Sequence, residues 1–309
     1  MKTESLLEKA LESGKFVVTA ECGPPKGSDT DSLIKKGKVL LGWVDAINVT
    51  DNQTAIVRMS SIAACSILKQ LGHDTILQMV TRDRNRIALQ SDLFGAYALG
   101  IRNVLCLTGD HQSFGNQKEA LGVFDLDSVQ LLRTARDMRE SGVVIGGEAI
   151  QVPPKFFLGA AANPFADPVD WRAIRLGKKI HAGADFIQTQ CIYNLSRFES
   201  FMKQAKDMGL TEKAHILAGV TPLKTAAMAR YMATKVAGMD IPEEVINRMS
   251  SVPKEKQADE GIQIAVETIQ RVQQIPGVAG VHLMAIEWEH KVPEILQFAG
   301  IGNRPSRVV

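Results

Sequence analysis

Eight short apolar runs, each followed by a segment of helical character, constrain this chain more than any other feature. The strand-like runs are Phe16–Glu21, Val44–Val49, Thr75–Val80, Asn103–Leu107, Phe156–Ala161, Asp185–Gln190, His215–Val220 and Gly280–Ala285. Their apolar character is continuous rather than alternating, which suits strands covered on both faces, as parallel strands are. Helical patterns occupy Asp31–Leu41, Thr54–Leu71, Ala88–Leu99, Ser128–Glu140, Trp171–Ala182, Leu195–Met208, Thr225–Val236 and Lys256–Ile275. Gly72, Gly100, Gly142, Gly183 and Gly209 close several of these helices, where a left-handed residue stops the helix. Eight strand–helix units predict an α/β fold, a single (β/α)8 TIM barrel, with an open doubly wound sheet as the alternative.

No Pro-, Gly- or Ser-rich linker divides the 309 residues. Residues 1–309 therefore read as one barrel domain, with a short N-terminal helix in the charged, amphipathic Met1–Lys15 stretch and a C-terminal extension. Two connections are long: Thr108–Lys155 carries an extra polar loop, and Thr221–Ala279 an extra helical piece around Pro242–Met249. Long loops after barrel strands often carry function. The 36 basic and 34 acidic residues nearly balance, which argues against nucleic-acid or membrane-surface partners. Met1–Lys15 lacks the apolar run of a signal peptide, and no apolar window reaches the ~18 residues of a membrane span. Cys22, Cys65, Cys106 and Cys191 are scattered without a Cys-x-x-Cys pair, as expected of reduced thiols in a cytoplasmic protein and not of a zinc or iron–sulfur site.

Barrel enzymes place their chemistry at the carboxyl ends of the strands. Here those ends carry Glu21, then Thr50 and Asp51, then Thr81 to Asn85, then Thr108, Gly109 and Asp110, followed by Asn163, Gln190, Lys224 and Glu287. Glu21 ends an otherwise apolar strand, where burial raises a carboxyl pKa and suits it to donate a proton near neutral pH. A turn-capping or arginine-paired glutamate is the competing reading. Asp110 follows Gly109, which permits close approach of backbone to a ligand, although an ordinary turn aspartate fits as well. The run Arg82-Asp83-Arg84-Asn85-Arg86 reads either as phosphate-binding guanidinium forks or as a solvated loop. No Gly-x-Gly-x-x-Gly or P-loop sequence occurs, and the six histidines lack metal-ligand spacing, so no metal is expected. The residues alone thus lead to a barrel enzyme with two candidate carboxylates.

Several segments at these strand ends resemble the methylenetetrahydrofolate reductase family. They are Thr19-Ala20-Glu21-Cys22-Gly23-Pro24-Pro25, Asn48-Val49-Thr50-Asp51-Asn52, Arg82-Asp83-Arg84-Asn85, Gly100 to Asp110, Val123-Phe124-Asp125-Leu126-Asp127 and Ala182 to Gln190. Each is weak alone; their order on successive strands carries the resemblance, which spans about Phe16 to Gly302. The resemblance implies a barrel that holds FAD at its mouth without a Rossmann motif and reduces 5,10-methylenetetrahydrofolate to 5-methyltetrahydrofolate. By matching positions it implies Glu21 and Asp110 as catalytic residues, Glu21 being the general acid. Glu21, Asp110 and Gln190 would bind the folate substrate. Flavin contacts would be Thr50, Asp51, Gln78, Thr108, Gly109, Asp110, Asp125, Asn163 and Lys179, with Lys179 facing phosphate.

The sequence also departs from the best-known bacterial members. Gln78 stands where a histidine is often found, Thr108 replaces an arginine, Asn163 stands where a tyrosine is common, and Glu287 replaces an asparagine. Ala226 lies near where a phenylalanine stacks on nicotinamide. These changes resemble a divergent branch, the acetogen-type subunit that pairs with an iron–sulfur electron-transfer partner; homo-oligomerisation is compatible with it. The expectation is therefore weak direct use of NAD(P)H. Two other readings stay open: a pterin-binding methyltransferase barrel, and a folate or flavin subunit inactive without its electron-transfer partner.

Overall fold

The computed structural model describes residues 2–236 and 238–304. Eight parallel strands, β1 (Val17–Cys22), β2 (Ala46–Val49), β3 (Thr75–Val80), β4 (Asn103–Leu107), β5 (Phe157–Ala162), β6 (Phe186–Cys191), β7 (His215–Val220) and β8 (Val278–Leu283), pair in chain order. β8 returns to β1, matching Val17 with Gly280 and Thr19 with His282, so the sheet closes on itself. The α/β fold is thus a single (β/α)8 TIM barrel, not an open sheet.

The helices are α1 (Leu6–Glu12), α2 (Asp31–Leu40), α3 (Ser61–Gln70), α4 (Arg86–Ala98), α5 (Ser128–Glu140), α6 (Arg172–Ala182), α7 (Leu195–Asp207), α8 (Ala226–Lys235), α9 (Glu243–Ser251), α10 (Gln257–Val272) and α11 (Val292–Phe298). The extra piece in the seventh connection is α9. The five glycines named above as helix stops all have positive φ. Alternate strand residues such as Val18, Ala20, Ile47 and Leu77 pack outward against the helices. Their neighbours face the barrel interior, consistent with strand alternation. At the amino end of the barrel, Val17, Ile76, Leu105, Phe157, Phe186 and Leu217 form a floor closed from below by Leu7 and Leu11 of α1. That short helix is itself held by the Leu7 N–H on the Asp74 carboxylate, 2.9 Å, and by Ser5 donating to Asn103.

Two expectations needed correction. The helix expected over Thr54–Leu71 begins only at Ser61, with Ser60 capping it. Before it, Gln53–Ala55 forms a 3-10 turn capped by Asn52, and Asn52, Thr54 and Ala55 have positive φ. Tertiary contacts hold this turn against helical propensity: Asn52 Oδ1 accepts the Arg58 N–H at 3.0 Å, and Asn116 Oδ1, from the loop after β4, accepts the Val57 N–H at 3.1 Å. The last strand, expected at Gly280–Ala285, runs Val278–Leu283, because its pairing with β1 ends at Ala20↔Leu283. The C-terminal extension continues past α11, and its residues 305–309 lie outside the described residues.

Candidate functional site

Glu21 is the next-to-last residue of β1, and its side chain is only 11% exposed. Burial is the main cause that pushes its pKa from 4.5 up to about 7, with the Glu289 carboxylate adding to the effect. Arg58 and a hydrogen bond from Gln53 oppose the rise. Glu289 is tied to Lys36 at 2.9 Å, and Arg58 is held by the Pro24 carbonyl at 2.8 Å. The Cys22-Gly23-Pro24-Pro25 turn and the strained 52–55 turn therefore bring their groups onto one carboxyl. The result is an acid that is half ionised near neutral pH, as proton donation there requires.

Around Glu21 the interior is polar and incompletely satisfied. Asn48, opposite Glu21 in the β1–β2 ladder, is fully buried, and neither its amide nitrogen nor its oxygen has a partner. Thr50 Oγ1 and Gln188 Oε1 are likewise buried and unpartnered. Buried polar atoms are seldom left unpaired in folded proteins. At the carboxyl half of the barrel, Asn48, Thr50 and Gln188 offer unpaired groups that could receive a polar ligand. Gln78 is half-buried on β3 and makes no side-chain hydrogen bond to any described residue.

The second carboxylate, Asp110, follows Gly109, whose φ is +91°; a Cβ on Gly109 would lie 3.1 Å from Val80 Cβ. Asp110 is exposed and its carboxylate has no partner among the described residues, while its carbonyl accepts from Arg82 at 3.0 Å. Arg82 also donates to the Asn52 carbonyl and to Asp83, so one buried guanidinium joins the loops after β2, β3 and β4. Arg84 binds Asp51 at 2.7 Å, Asn85 caps α4 by accepting from the Ile87 and Ala88 amides, and Arg86 forks onto Asp125. The Arg82 to Arg86 run is thus ion-paired within the protein, Arg82 buried and Arg84 half-buried while Asp83, Asn85 and Arg86 face solvent. It is the framework that sets the mouth.

The remaining expected contacts divide accordingly. Asp51 accepts from Arg84 and from the Val80 N–H, and Asp125 accepts from the Arg86 side chain and backbone, which holds its pKa down at about 2. Thr108 Oγ1 accepts the Ser128 N–H at 3.1 Å and so anchors the start of α5. Asn163 donates to the Gly238 carbonyl and accepts from the Phe165 N–H, stapling two loops. Gln190 folds its Oε1 back onto the Cys191 N–H. Lys179 reaches from α6 to the Ala161 carbonyl at 2.6 Å and lines a cavity of about 320 Å³ with Asn163, Arg172 and Arg175. Burial, then Arg175, lowers the pKa of Lys179. An anion entering that cavity would relieve both effects. Orphaned polar atoms at the mouth and a cationic cavity beside β5 fit a ligand with a polar ring system and a diphosphate.

Beneath Glu21 lies a group that the strand-end pattern does not pick out: Thr19, Gln188 and His282, from β1, β6 and β8, hydrogen bond to one another across the barrel. Thr19 and Gln188 lie two positions before Glu21 and Gln190 on their strands, whereas His282 pairs in register with Thr19 and Gly219 and has no strand-end group beside it.

A family model of methylenetetrahydrofolate reductase matches residues 6–300. A Caenorhabditis elegans probable methylenetetrahydrofolate reductase (NADPH) is 26% identical over 256 residues, 81% of this chain and 36% of the relative. A probable methylenetetrahydrofolate reductase (NADH) of Oryza sativa subsp. japonica is 23% identical, covering 97% of this chain and 51% of the relative. The chain thus spans about half or less of the length of these curated relatives. Among solved structures, a Clostridium thermocellum protein described as binding two copies of 5-methyl-5,6,7,8-tetrahydrofolic acid superposes with a TM-score of 0.65 at 16% identity. That match covers 96% of this chain and 98% of the other, and it shows the shared fold. No helix among the described residues is long and apolar enough to cross a membrane.

Proposed function

The chain belongs to the methylenetetrahydrofolate reductase family, and we propose that it reduces 5,10-methylenetetrahydrofolate to 5-methyltetrahydrofolate with FAD as cofactor, residues 1–309 acting as one barrel domain. The observation that carries this reading is the nearly buried Glu21, whose pKa is raised to about 7 at a polar barrel mouth. When bound, FAD supplies the hydride that the one-carbon bridge receives. Glu21 delivers the proton that lets the five-membered ring of the folate open. Asp110, unpaired and exposed, faces the pterin, and Gln190 turns from its own backbone to the folate. Thr50, Gln78, Thr108, Gly109 and Asn163 would line the flavin, while Asp51 and Asp125 would keep Arg84 and Arg86 in place around it. Lys179, now on the Ala161 carbonyl, would hold the diphosphate.

The electron donor is part of the proposal. Ala226, at the start of α8, is buried, and its N–H is taken by Gln257, so that position offers the mouth no aromatic face. Viologen-type donors are expected to serve well, and NAD(P)H poorly without an iron–sulfur partner. Absorbance of the pure protein tests the core reading: a flavin spectrum, bleached anaerobically by methyltetrahydrofolate, is expected. A protein expressed with ample riboflavin that never carries flavin sinks it, and folate binding without flavin favours a methyltransferase instead.

A further inference from the structure

His282 lies inside the barrel on β8, 3% exposed, and its two ring nitrogens face different partners. Nδ1 is 3.0 Å from Thr19 Oγ1 and 3.3 Å from Gln188 Nε2. An amide nitrogen can only donate, so Nδ1 is the acceptor and the ring proton sits on Nε2, a tautomer assigned from the network. Nε2 faces Glu21 Oε2 at 4.0 Å, and the Thr19 carbonyl also lies against the ring, favouring its protonated form. Burial lowers the His282 pKa to about 3, so the ring presents a neutral N–H and not a cation. Among the described residues Glu21 is the one ionisable group within ion-pair reach of the ring.

We propose that His282 is a positioning residue for Glu21, held by Thr19 and Gln188 so that its Nε2–H receives the carboxylate left when Glu21 gives up its proton. This rests on the reading of Glu21 as the acid. A neutral donor suits that task. A cation at the same place would strip the proton from Glu21 before it is needed, whereas a dipole supports the carboxylate without adding net charge. The 4.0 Å separation leaves a small closing movement, as is common for catalytic hydrogen bonds before substrate binds. The charged groups acting on Glu21 are Glu289 from the segment after β8 and Arg58 from the turn after β2. Lys36 of α2 is occupied by Glu287 and Glu289. The thiols of Cys22 and Cys191 also lie near Glu21, and burial pushes both of them up to about 12.

The test combines turnover with a viologen donor and infrared titration of the Glu21 carboxyl band, assigned by its loss in Glu21→Gln. His282→Phe removes the donor, and His282→Gln returns an N–H at similar reach. In His282→Phe we expect folate turnover to fall about tenfold with KM unchanged, the scale of one hydrogen bond to a charged group. The Glu21 midpoint should move up by about one pH unit. His282→Gln should recover most of both, and adding His282→Phe to Glu21→Gln should lower turnover no further. If His282→Phe fails to fold, Gln188→Leu, which frees Nδ1 but keeps the ring, should produce the same upward shift in smaller measure. An unmoved midpoint, or losses that multiply in the double variant, overturns the coupling. A midpoint that moves in a protein with no folate turnover sinks the reductase reading and leaves the coupling of His282 to Glu21 standing.

Discussion

The two ends of this barrel are built from the same eight strands and obey opposite rules. At the amino end, Phe157 and Phe186 stack with ring centroids 5.2 Å apart, and the plug helix seals the floor with Leu7 and Leu11. Two strand residues higher, the interior changes to Thr19, Asn48, Gln78, Gln188 and His282, and then to Glu21. There, polar atoms lack partners and a carboxyl is forced toward neutrality. The floor is close-packed and apolar, as stability demands. The mouth keeps desolvated polar groups that work against stability and are useful only with a ligand in place. Fold and function are thus separated along the barrel axis, and substitutions at the two ends should fail in different ways.

The largest effect is expected at the mouth. Glu21→Gln preserves shape and removes the titrating proton, so folate turnover should fall about 10²–10⁴-fold while flavin reduction by dithionite persists. Steady-state and single-turnover assays read both; unchanged turnover would falsify the acid assignment. At the floor, Phe186→Ala should lower unfolding free energy by about 3–5 kcal/mol in urea titrations, with turnover per folded molecule preserved. A loss of turnover without a loss of stability there would erase the division. Lys179→Ala should weaken FAD retention about ten- to a hundredfold, one charge-assisted contact, measured by flavin release on dilution. Retention equal to wild type removes Lys179 from the diphosphate site.

A smaller effect sharpens the contrast through pH. Glu21 has a folded-state pKa of about 7 against 4.5 for the ordinary group. Between those values the folded chain keeps a proton that the unfolded chain has lost. Its contribution is therefore most favourable below about pH 4.5 and is lost as pH rises through about 7. The slope from this one group is at most about 1.4 kcal/mol per pH unit. Glu21→Gln should flatten that slope and be the more stable protein at pH 8, which urea unfolding at pH 5, 6, 7 and 8 would show. Parallel curves for the two proteins would mean that Glu21 is not strained by its site. The smallest difference concerns the donor. Without an aromatic face at Ala226, binding of a nicotinamide loses roughly 0.5–1.5 kcal/mol. Rapid mixing with NADH or NADPH should bleach the flavin slowly and saturate poorly, and fast bleaching at micromolar nucleotide would remove the need for a partner.

The sequence by itself determined the barrel. Eight continuous apolar runs can be buried on both faces only in a parallel sheet wrapped by helices, and the glycine stops and strand-end polar residues placed the mouth. Glu21 was legible for the same reason, as the one carboxyl ending an apolar strand. Local pattern could not show what distant segments do to one another. The 52–55 turn departs from helix because Asn116, from another loop, holds Val57. The arginines from 82 to 86 fit either anion ligands or a solvated loop by pattern, and only the fold pairs Arg84 with Asp51 and Arg86 with Asp125. His282 had no spacing to betray it, since its partners Thr19, Gln188 and Glu21 come from β1 and β6 and meet it only when the sheet closes. Periodicity records which face of a strand is buried; the charge and hydrogen-bond state of a buried group depends on groups remote in the chain, and tertiary structure alone decides those.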